Sequence, residues 1–468
     1  MPVNTKSKQY ESREDNWDMI VDIMEGEGSI KDAGTKYLPK LSGQTAVEYS
    51  AYKERGTFFN AYDRTVKGLT GAVMRRDPVV EVPTLVELLL ENCTLSGLSF
   101  TDVTRTVVRN IIAYGYYGIL VDMPEEKEGV ESRPYMALYT ATDILNYRIQ
   151  KEGDQNKLVL LVLREEESEP NPGDPFETDT TEQIRVLSLD DTGYLVVEVY
   201  QLVKVGSNEE WAPIQNAAGE TAVYPQIKGN RLDRIPFTFF GAIDNEPAPP
   251  KPPLIDLANL NIKHWQVTVD YFHGLHWCAL PTPYFFGIDD AKKKFTIGPS
   301  KALTSTNAQA KAGILEFTGQ GLGSVEKALD RIEDHMAVMG ARLLEHKKAG
   351  VESAEALRLR SSDETATLIT IAGSAENGMT NVLVDMSRWT GNEEEGKVHV
   401  ELNKDFISTR LSAQDITTLL GAVQAGKISQ ETFLWNLKMG EVLPKDRTIE
   451  DEKDLIEAEG VEPFVEEE

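Results

Sequence analysis

The chain has 468 residues, a formal net charge of −28 and two cysteines, Cys93 and Cys278. This length exceeds what a single hydrophobic core usually organises, so we expect at least two lobes. The acidic balance argues against a tight nucleic-acid binder, and two distant cysteines indicate neither a disulfide framework nor a metal site. The most apolar run, at 158–163, is far too short to span a bilayer, so we expect a soluble protein.

Residues 1–114 are predicted to be an arm followed by helices. Residues 1–39 are polar and interrupted by glycine, with one short amphipathic stretch at 17–24, which predicts the arm. Apolar residues recur at helical spacing over 43–76, where Asp77-Pro78 ends the pattern. Further helices are predicted at 85–95 and 99–114.

Two glycines, Gly115 and Gly118, lead into a predicted strand at 119–123. They superficially resemble a phosphate-binding loop. No Gly-Lys-Ser/Thr sequence follows, and no helix begins there. We therefore expect the glycines to allow close packing of a helix and a strand.

The stretch from 135 to 240 is predicted to form an antiparallel or mixed sheet packed on these helices. Strand-like runs with a period of two occupy 158–163, 184–189 and 194–203. Residues 165–182 between the first two runs are acidic and contain proline, which predicts a solvated loop.

The most informative feature is a pair of predicted helices on either side of a short insert. The first helix covers about 253–278, after a proline-rich linker. The insert covers 280–321, and its predicted strands are 284–286, 295–297 and 314–317. The second helix begins at Ser324 and reaches about Lys348. Two helices that leave a body and return to it form a stalk, which favours an assembly protein over an enzyme.

The second helix carries a coiled-coil-like seam, since its apolar residues alternate at spacings of three and four. The seam residues are Val325, Leu329, Ile332, Met336, Met339 and Leu343. The opposite face is charged. Such helices can pack side by side around a closed ring.

The remaining residues predict a loop, a helix, a strand and a helical end. Periodicity is lost over 347–364, which predicts the loop, and a long helix covers 365–389. A strand is predicted at 397–402. Two capped helices follow, separated near Gly426, and the acidic residues from Glu450 onward are expected to fray.

The sequence contains no nucleophile–base pair and no Walker motif, so we expect neither an enzyme nor a cofactor. His273, His276 and Cys278 are the only ligand-like cluster. Zinc usually takes four ligands, and no second pair is evident, so packing at the end of the stalk is favoured over metal binding. His335 and His346 are expected on the surface.

The order of several stretches resembles that of bacteriophage portal proteins, in particular a phage family long catalogued as a domain of unknown function and assigned as portal. The stretches are the helix 62–78 ending in Val73-Met74-Arg75-Arg76-Asp77-Pro78, residues 113–122, the strand at Ile235-Pro236-Phe237, residues 252–261, and residues 275–287 with Pro281-Thr282-Pro283. Together with the stalk–insert–stalk plan, this order extends the likeness over nearly the whole chain.

The resemblance implies an α+β, portal-like fold with an α/β wing, a two-helix stem, a small β-containing clip and a C-terminal helical crown. The implied divisions are an arm at 1–39, the wing at 40–252 and 365–402, stem helices at 253–279 and 322–346, the clip at 280–321, a tunnel loop at 347–364, and the crown with an acidic tail at 403–468.

The resemblance also implies a head-to-tail connector of the virion. A ring, typically of twelve subunits, would occupy the unique capsid vertex after assembly in the host cytoplasm. Double-stranded DNA would be packaged and ejected through it without sequence specificity. The implied partners are the large terminase, then a head-completion adaptor, with the major capsid and scaffolding proteins and no membrane.

Two groups of site residues follow from this resemblance. The DNA-facing tunnel loop would present Lys347, Lys348, Arg358 and Arg360, although an ordinary solvated loop explains these four equally well. The clip would dock the adaptor through Phe285, Asp289, Asp290, Lys292, Lys293 and Lys294, although the charged residues also suit a simple turn. The alternatives are an adaptor or scaffold-type virion assembly protein without a DNA channel, and an enzyme in the wing sheet.

Overall fold

The structure is a computed structural model that describes residues 2–124, 132–174, 176–205, 208–216, 219–280, 282–287, 307–315, 319–340, 354–391, 397–404, 406, 413–440, 442–444 and 447–458. It is a mixture of helices and antiparallel strands, as the expected α+β class requires. The chain divides into two compact units, Met1–Asn403 and Lys404–Glu468.

The helices of the first unit lie before, between and after the strands. They are α1 (Lys8–Glu25), α2 (Glu27–Ala33), α3 (Ala46–Arg55), α4 (Ala61–Val73), α5 (Thr84–Glu87), α6 (Phe100–Tyr114), α7 (Ile255–Ala279), α8 (Leu322–Met339) and α9 (Ala354–Trp389), with a 3-10 turn at Gly34–Lys36.

The expected N-terminal arm is wrong, because α1 is part of the core. Ser7 caps the helix by accepting a hydrogen bond from the Tyr10 backbone N–H. Trp17, Ile20 and Ile23 are fully buried. The spacing of these residues is helical, but the many charged residues between them dilute the apolar signal and make the segment look solvated.

The single helical pattern expected over 43–76 is two helices. Residues 56–60 separate α3 from α4, and the Asn60 side chain caps α4 by accepting from the Asp63 backbone N–H. An added Cβ at Gly56 would lie 2.2 Å from Val269 Cγ2, so the break also lets α7 approach closely. The helix expected at 85–95 is only the short α5, followed by turns.

The glycines after α6 serve the close packing that the sequence predicts, with different partners. Gly115 ends α6 with φ +76. Gly118 lies in the following strand, and an added Cβ there would lie 2.2 Å from Phe237 Cζ on the neighbouring strand. The close approach at Gly118 is therefore between two strands rather than between a helix and a strand.

All strand pairings described are antiparallel. A three-stranded sheet has the order β12 (Phe237–Gly241), β2 (Tyr116–Asp122) and β3 (Tyr135–Thr140). A larger sheet has the order β4 (Ile144–Glu152), β5 (Gln155–Pro170), β6 (Thr178–Leu189), β7 (Leu195–Val205) and β8 (Asn208–Pro213), with β9 (Ala222–Val223) beside β7. The two-stranded pairs are β1 (Val79–Glu81) with β15 (His399–Glu401), β10 (Gln226–Ile227) with β11 (Asn230–Arg231), and β13 (Thr282–Phe286) with β14 (Lys311–Leu315).

The acidic loop expected at 165–182 is instead a two-stranded ribbon. Strands β5 and β6 stay paired from Leu160 opposite Ser188 out to Pro170 opposite Thr178. Strand β7 pairs with β6 only as far as Gln183, so the outer part of the hairpin extends beyond the sheet. Several threonines in β6 favour extended backbone, which offsets the turn-forming composition of the segment.

The core of the first unit forms where α9 crosses the three-stranded sheet and meets α6 and α4. Ile371, Ala375, Met379, Val382 and Met386 recur at helical spacing on α9 and are all buried. An added Cβ at Gly378 would lie 2.3 Å from Phe240 Cε1, so this glycine lets α9 lie directly on β12.

The second unit contains α10 (Ala413–Gln424), α11 (Gln430–Met439) and α12 (Ile449–Ala458). The predicted helix boundaries are confirmed, because Gly426 has φ +65 and Ser429 caps α11 by accepting from the Thr432 N–H. The fraying expected from Glu450 is wrong over α12. Thr448 and Asp451 cap that helix through reciprocal side-chain to backbone hydrogen bonds of 3.0 and 2.8 Å.

Candidate functional site

The first stalk helix, α7, is buried at its start and exposed at its end. Nine of its side chains between Ile255 and Val269 are buried, on the face toward the core. Beyond Val269 the large apolar side chains that are exposed are Phe272, Leu275, Trp277 and, just after the helix, Leu280. The helix therefore leaves the core about halfway along its length, as the sequence predicts for a stalk.

The second stalk helix, α8, returns antiparallel to the first. An added Cβ at Gly274 would lie 2.9 Å from Leu322 Cδ2, near the outer end of the pair. Further inward, His264 Nε2 lies 3.1 Å from Glu333 Oε1. At the inner end, an added Cβ at Gly340 would lie 2.9 Å from Leu257 Cδ2. These contacts run in opposite directions along the two helices, so the pair is a helical hairpin.

Strands β13 and β14 lie at the outer end of this helical hairpin. They pair antiparallel from Thr282 opposite Leu315 to Phe286 opposite Lys311. The exposed apolar side chains on this pair are Tyr284, Phe286, Ile314 and Leu315. We call these four, with Phe272, Leu275, Trp277 and Leu280 of the stalk, the apolar stalk surface. The register places Tyr284, Phe286 and Leu315 on one face of the strand pair and Ile314 on the other. Exposed apolar side chains concentrated at the outer end of a stalk favour an interaction site there.

The predicted seam on α8 belongs mainly to the helix pair within one chain. Val325, Leu329 and Ile332 are half-buried, and Met336 is only 3% exposed. Met336 is therefore covered by its own chain, while the three half-buried side chains keep part of their surface exposed. Met339 is the exception at 47% exposed, and Leu343 lies outside the described residues. Helix α8 begins at Leu322 with Gly321 at its N-cap, which is where the second stem helix at 322–346 was expected and two residues before the Ser324 start.

The predicted tunnel loop is partly helical. Helix α9 begins at Ala354, so residues 354–364 are not a loop. They are rich in alanine, leucine, arginine and glutamate, which are strong helix formers even without an apolar period. Arg358 and Arg360 lie on this helix, while Lys347 and Lys348 lie outside the described residues.

The predicted clip residues fall mostly outside the part of the chain that the structure describes. Phe285 lies on β13, half-buried and on the opposite face from Tyr284 and Phe286. Asp289, Asp290, Lys292, Lys293 and Lys294 lie outside the described residues, as does the strand predicted at 295–297.

The histidine cluster at the stalk is packed against neighbouring side chains. Trp277 Nε1 donates to His273 Nε2 at 3.1 Å, and Arg55 Nη1 lies 3.3 Å from His273 Nδ1. Partial burial, followed by the charges of Arg55 and His276, lowers the pKa of His273. Within the described ranges, no group of three or more histidine, cysteine or acidic residues is arranged to hold a metal ion. His335 is exposed, as expected, and His346 lies outside the described residues.

A polar cleft between β10–β12 and the end of α9 is a feature that the sequence does not reveal. Its volume is about 600 Å³, and the residues that line it include Lys228, Arg231, Arg234, Arg388 and Trp389. These residues come from segments more than 150 positions apart along the chain, so no local motif signals the cleft. We call it the basic cleft.

A buried charge cluster at the root of the β5–β6 ribbon is also invisible in the sequence. Arg185 on β6 pairs with Asp122 at 2.6 Å and with Glu165 at 2.9 Å. The Tyr139 hydroxyl donates to Glu165, and Tyr135 lies beside Asp122. Burial would lower the pKa of Arg185, but these neighbours raise it, so the guanidinium stays charged and joins the two sheets.

Comparison with known proteins gives one family match. Residues 253–390 match the family model described as Domain of unknown function (DUF4055). The match covers α7, β13, β14, α8 and α9, and therefore the whole stalk. No curated protein matches the sequence.

Three solved structures of gene transfer agent (GTA) particles are similar to this chain at low identity. One, described as the virion of a native particle, is 11% identical with a TM-score of 0.38, and the match covers 86% of this chain and 97% of that one. The neck of an empty particle, computed with C6 symmetry, is 10% identical with a TM-score of 0.39 and covers 86% and 96%. The neck of a native particle, computed with C12 symmetry, is 10% identical with a TM-score of 0.36 and covers 87% and 98%.

Among the described helices, none combines the length and apolar character that a membrane crossing requires.

Proposed function

We propose that this chain is a portal-type subunit. Copies of it assemble into a closed ring at a capsid vertex, and double-stranded DNA passes through the ring during packaging and ejection. The protein acts as a conduit and docking site rather than as an enzyme. The observation that carries the proposal is a stalk whose inner half is anchored in the core and whose outer half exposes several aromatic and aliphatic side chains.

The anchoring of the stalk supports this function. Trp265 and Val269 on α7 are fully buried, and Met336 on α8 is covered at the same inner end. A helical hairpin held this firmly has a fixed direction relative to the body. Fixed direction matters because a ring closes only when every subunit meets its neighbour at the same angle.

The apolar stalk surface supports self-association. Trp277 is 51% exposed and Phe286 65% exposed in the single chain. Aromatic side chains of this size supply much of the energy at protein interfaces when they become buried. A ring forms when this surface meets a different face of the neighbouring copy, because such a head-to-tail contact repeats by rotation around an axis.

The charge of the chain supports passage of DNA rather than capture. A net charge of −28 gives a ring wall that repels the phosphate backbone overall. Any contact in the channel is then weak and independent of base sequence. The motor that drives DNA is supplied by a partner, the large terminase, and the head-completion adaptor docks later at the outer end of the stalk. The major capsid and scaffolding proteins bind the part of the protein from which the stalk projects.

Mass photometry and negative-stain electron microscopy of the purified full chain test the proposal. We expect a closed ring with a central hole wide enough for a DNA duplex. The resemblance to portal proteins implies twelve subunits. A Trp277→Asp, Phe286→Asp variant should stay folded and lose the ring. Val47→Asp changes an apolar residue of α3 that is 80% exposed and is not part of the apolar stalk surface, and this variant should keep the ring. A chain that stays monomeric at all concentrations overturns the proposal, and a small closed assembly without a hole favours the adaptor or scaffold alternative.

A further inference from the structure

The β5–β6 ribbon is strongly acidic along its whole length. Residues 165–184 contain eight carboxylate side chains and no lysine or arginine. Residues 178–182 of β6 are all exposed. A two-stranded ribbon is not stable as an isolated element, so its rigidity depends on the sheet at its root and on the Arg185 cluster there.

Near the tip of this ribbon, two side chains accept hydrogen bonds from backbone N–H groups, and one aromatic ring lies in solvent. Asn171 Oδ1 accepts from the backbone N–H groups of Gly173 and Asp174 at 2.7 and 3.2 Å, and Asp174 Oδ1 accepts from the Phe176 N–H at 2.9 Å. Phe176 itself is 96% exposed. A fully exposed phenylalanine between carboxylates suits a pocket with an apolar floor and a basic rim.

The basic cleft has that composition. Its lining includes four cationic side chains and two carboxylates, in a chain that is acidic overall. The apolar part of the lining comes from Ile227, Leu232, Pro236 and Trp389. At about 600 Å³ it is within the range of roughly 300–1,000 Å³ that pockets for compact ligands occupy, so it can admit an aromatic side chain and part of its turn.

The cations of the cleft are held in place by the surrounding fold. Lys228 has a positive φ of 50°, and its Nζ donates to the Gly391 carbonyl at 2.9 Å. Arg231 lies over the Tyr224 ring, with 4.5 Å between the guanidinium carbon and the ring centroid. Arg234 pairs with the buried carboxylate of Asp385. This pre-organisation lowers the entropic cost of receiving an acidic partner.

The ribbon tip and the basic cleft lie at opposite ends of the same strand. Strand β6 has 12 residues, and it runs from the tip at Thr178 to Leu189, next to the cleft. The cleft end is fixed by the Leu195 N–H, which donates to the Leu232 carbonyl at 2.8 Å. At about 3.3 Å per residue the two features are separated by roughly 35–40 Å. They cannot meet within one chain, but their positions suit a head-to-tail contact between copies.

We infer that the ribbon tip of one copy, with Phe176 at its centre, inserts into the basic cleft of the next copy. The contact is heterologous, because two different surfaces meet, and repetition of such a contact around an axis closes a ring. Asp174 and Glu177 beside the ring face Lys228 and Arg231 of the neighbour. The inference rests on the proposed function, since it assigns a second contact to the same assembly.

Engineered disulfides test this contact in the full chain. In a Cys278→Ser background, with only the buried Cys93 remaining, the pair Phe176→Cys and Ile227→Cys is oxidised and separated on a denaturing gel. We expect a ladder of linked multimers. The control pair is Phe176→Cys with Val47→Cys, which lies away from the cleft, and it should give no ladder.

A charge exchange separates a lost contact from a misfolded protein. In the variant that carries Phe176→Cys and Ile227→Cys, adding Arg231→Glu and Lys228→Glu should abolish the ladder. Further addition of Asp174→Lys and Glu177→Lys should restore it. The inference is overturned by an equal ladder from the control pair, or by a ladder that persists when Arg231 and Lys228 are replaced by glutamate. If the wild-type chain forms closed rings but the cysteine variant gives no ladder, the inference is overturned while the proposed function stands. A ladder from a protein that forms only open polymers supports the contact between ribbon tip and basic cleft, but contradicts the proposed closed ring.

Discussion

Trp17 near the N-terminus lies flat against Tyr116 in the middle of the chain, with ring centroids 6.3 Å apart and planes 9° from parallel. Tyr116 in turn stacks on Phe239, at 6.0 Å. Trp17 Nε1 also donates to the Tyr114 carbonyl at 3.0 Å. This stack joins α1 to β2 and β12, so the N-terminal segment is a structural part of the body.

Replacing Trp17 should therefore destabilise the whole first unit. Trp17→Ala removes a fully buried ring and leaves a cavity, which we expect to lower the free energy of unfolding by about 3–5 kcal/mol. Urea denaturation followed by circular dichroism measures this loss. Val21→Ala, on the same helix but 37% exposed, is the control and should change stability by less than about 0.5 kcal/mol. Equal stability of the Trp17 variant would show that α1 is not integrated into the core.

Gly118 should tolerate no side chain. An added Cβ would lie 2.2 Å from Phe237 Cζ and 2.9 Å from Ile144 Cδ1, so Gly118→Val forces both neighbours to move. We expect a loss of about 1–3 kcal/mol in the free energy of unfolding, and a partial recovery when Phe237→Leu is added.

A glycine in open space provides the control for this prediction. Gly71 lies within α4 with no atom within 4 Å of an added Cβ. Gly71→Ala should stabilise the protein by about 0.5–1 kcal/mol, because alanine loses less backbone freedom in a helix. Thermal melts of both variants make the comparison, and a neutral Gly118→Val would contradict the close approach of β2 and β12.

Substitutions at two methionines of α8 should distinguish an effect on folding from an effect on assembly. Met336 is buried within its own chain, so Met336→Asp should unfold the stalk by placing a charge among apolar groups. Met339 is 47% exposed, so Met339→Asp should keep the melting temperature of the single chain and weaken assembly. Circular dichroism and mass photometry on the same samples distinguish the two effects. Intact rings from Met339→Asp would show that this face of α8 lies outside the subunit contact.

Asp22 should make the stability of the N-terminal region depend on pH. Partial burial alone would raise the pKa of Asp22, but hydrogen bonds from Lys36, Tyr37 and Ser29 lower it below its usual value. A carboxylate with a lowered folded-state pKa stabilises the fold above its unfolded pKa of roughly 3.9, and that contribution is lost as the pH falls through the folded pKa.

The measurement compares wild type with Asp22→Asn by urea denaturation between about pH 7 and pH 3. The difference in unfolding free energy should be constant at the upper end and shrink steadily at the lower end. Asp15→Asn removes an exposed carboxylate from the same helix and controls for the change in net charge. A difference that is independent of pH would show that the Asp22 network does not form.

Elements with a strong local period could be read from the sequence. Helix α7 and strand β7 appear close to where periodicity placed them. Ser99 and Gly115 bound α6 as capping chemistry predicts. The stalk itself follows from local pattern, because two helices separated by a short insert must run out and back.

Other features could not be read because their causes lie far away in the chain. Charged residues hide the apolar face of α1, and only its contacts with β2 show that the helix is buried. The acidic composition of 165–182 predicts a loop, but pairing with the opposite strand and the Arg185 cluster hold it as a ribbon. The seam of α8 has the correct period, but only the tertiary structure shows that Met336 on it is buried within the chain while Met339 is exposed.

The sequence by itself determined the order and type of most long elements and the presence of a stalk, because periodicity and capping act over a few residues. The tertiary structure alone decided which faces are covered and which are free. Lys228 and Gly391, 163 positions apart, come together to line the basic cleft. Phe176 is left in solvent just beyond the far end of β6. Such placements depend on contacts distant in sequence, since burial is set by the neighbours that folding brings to a side chain.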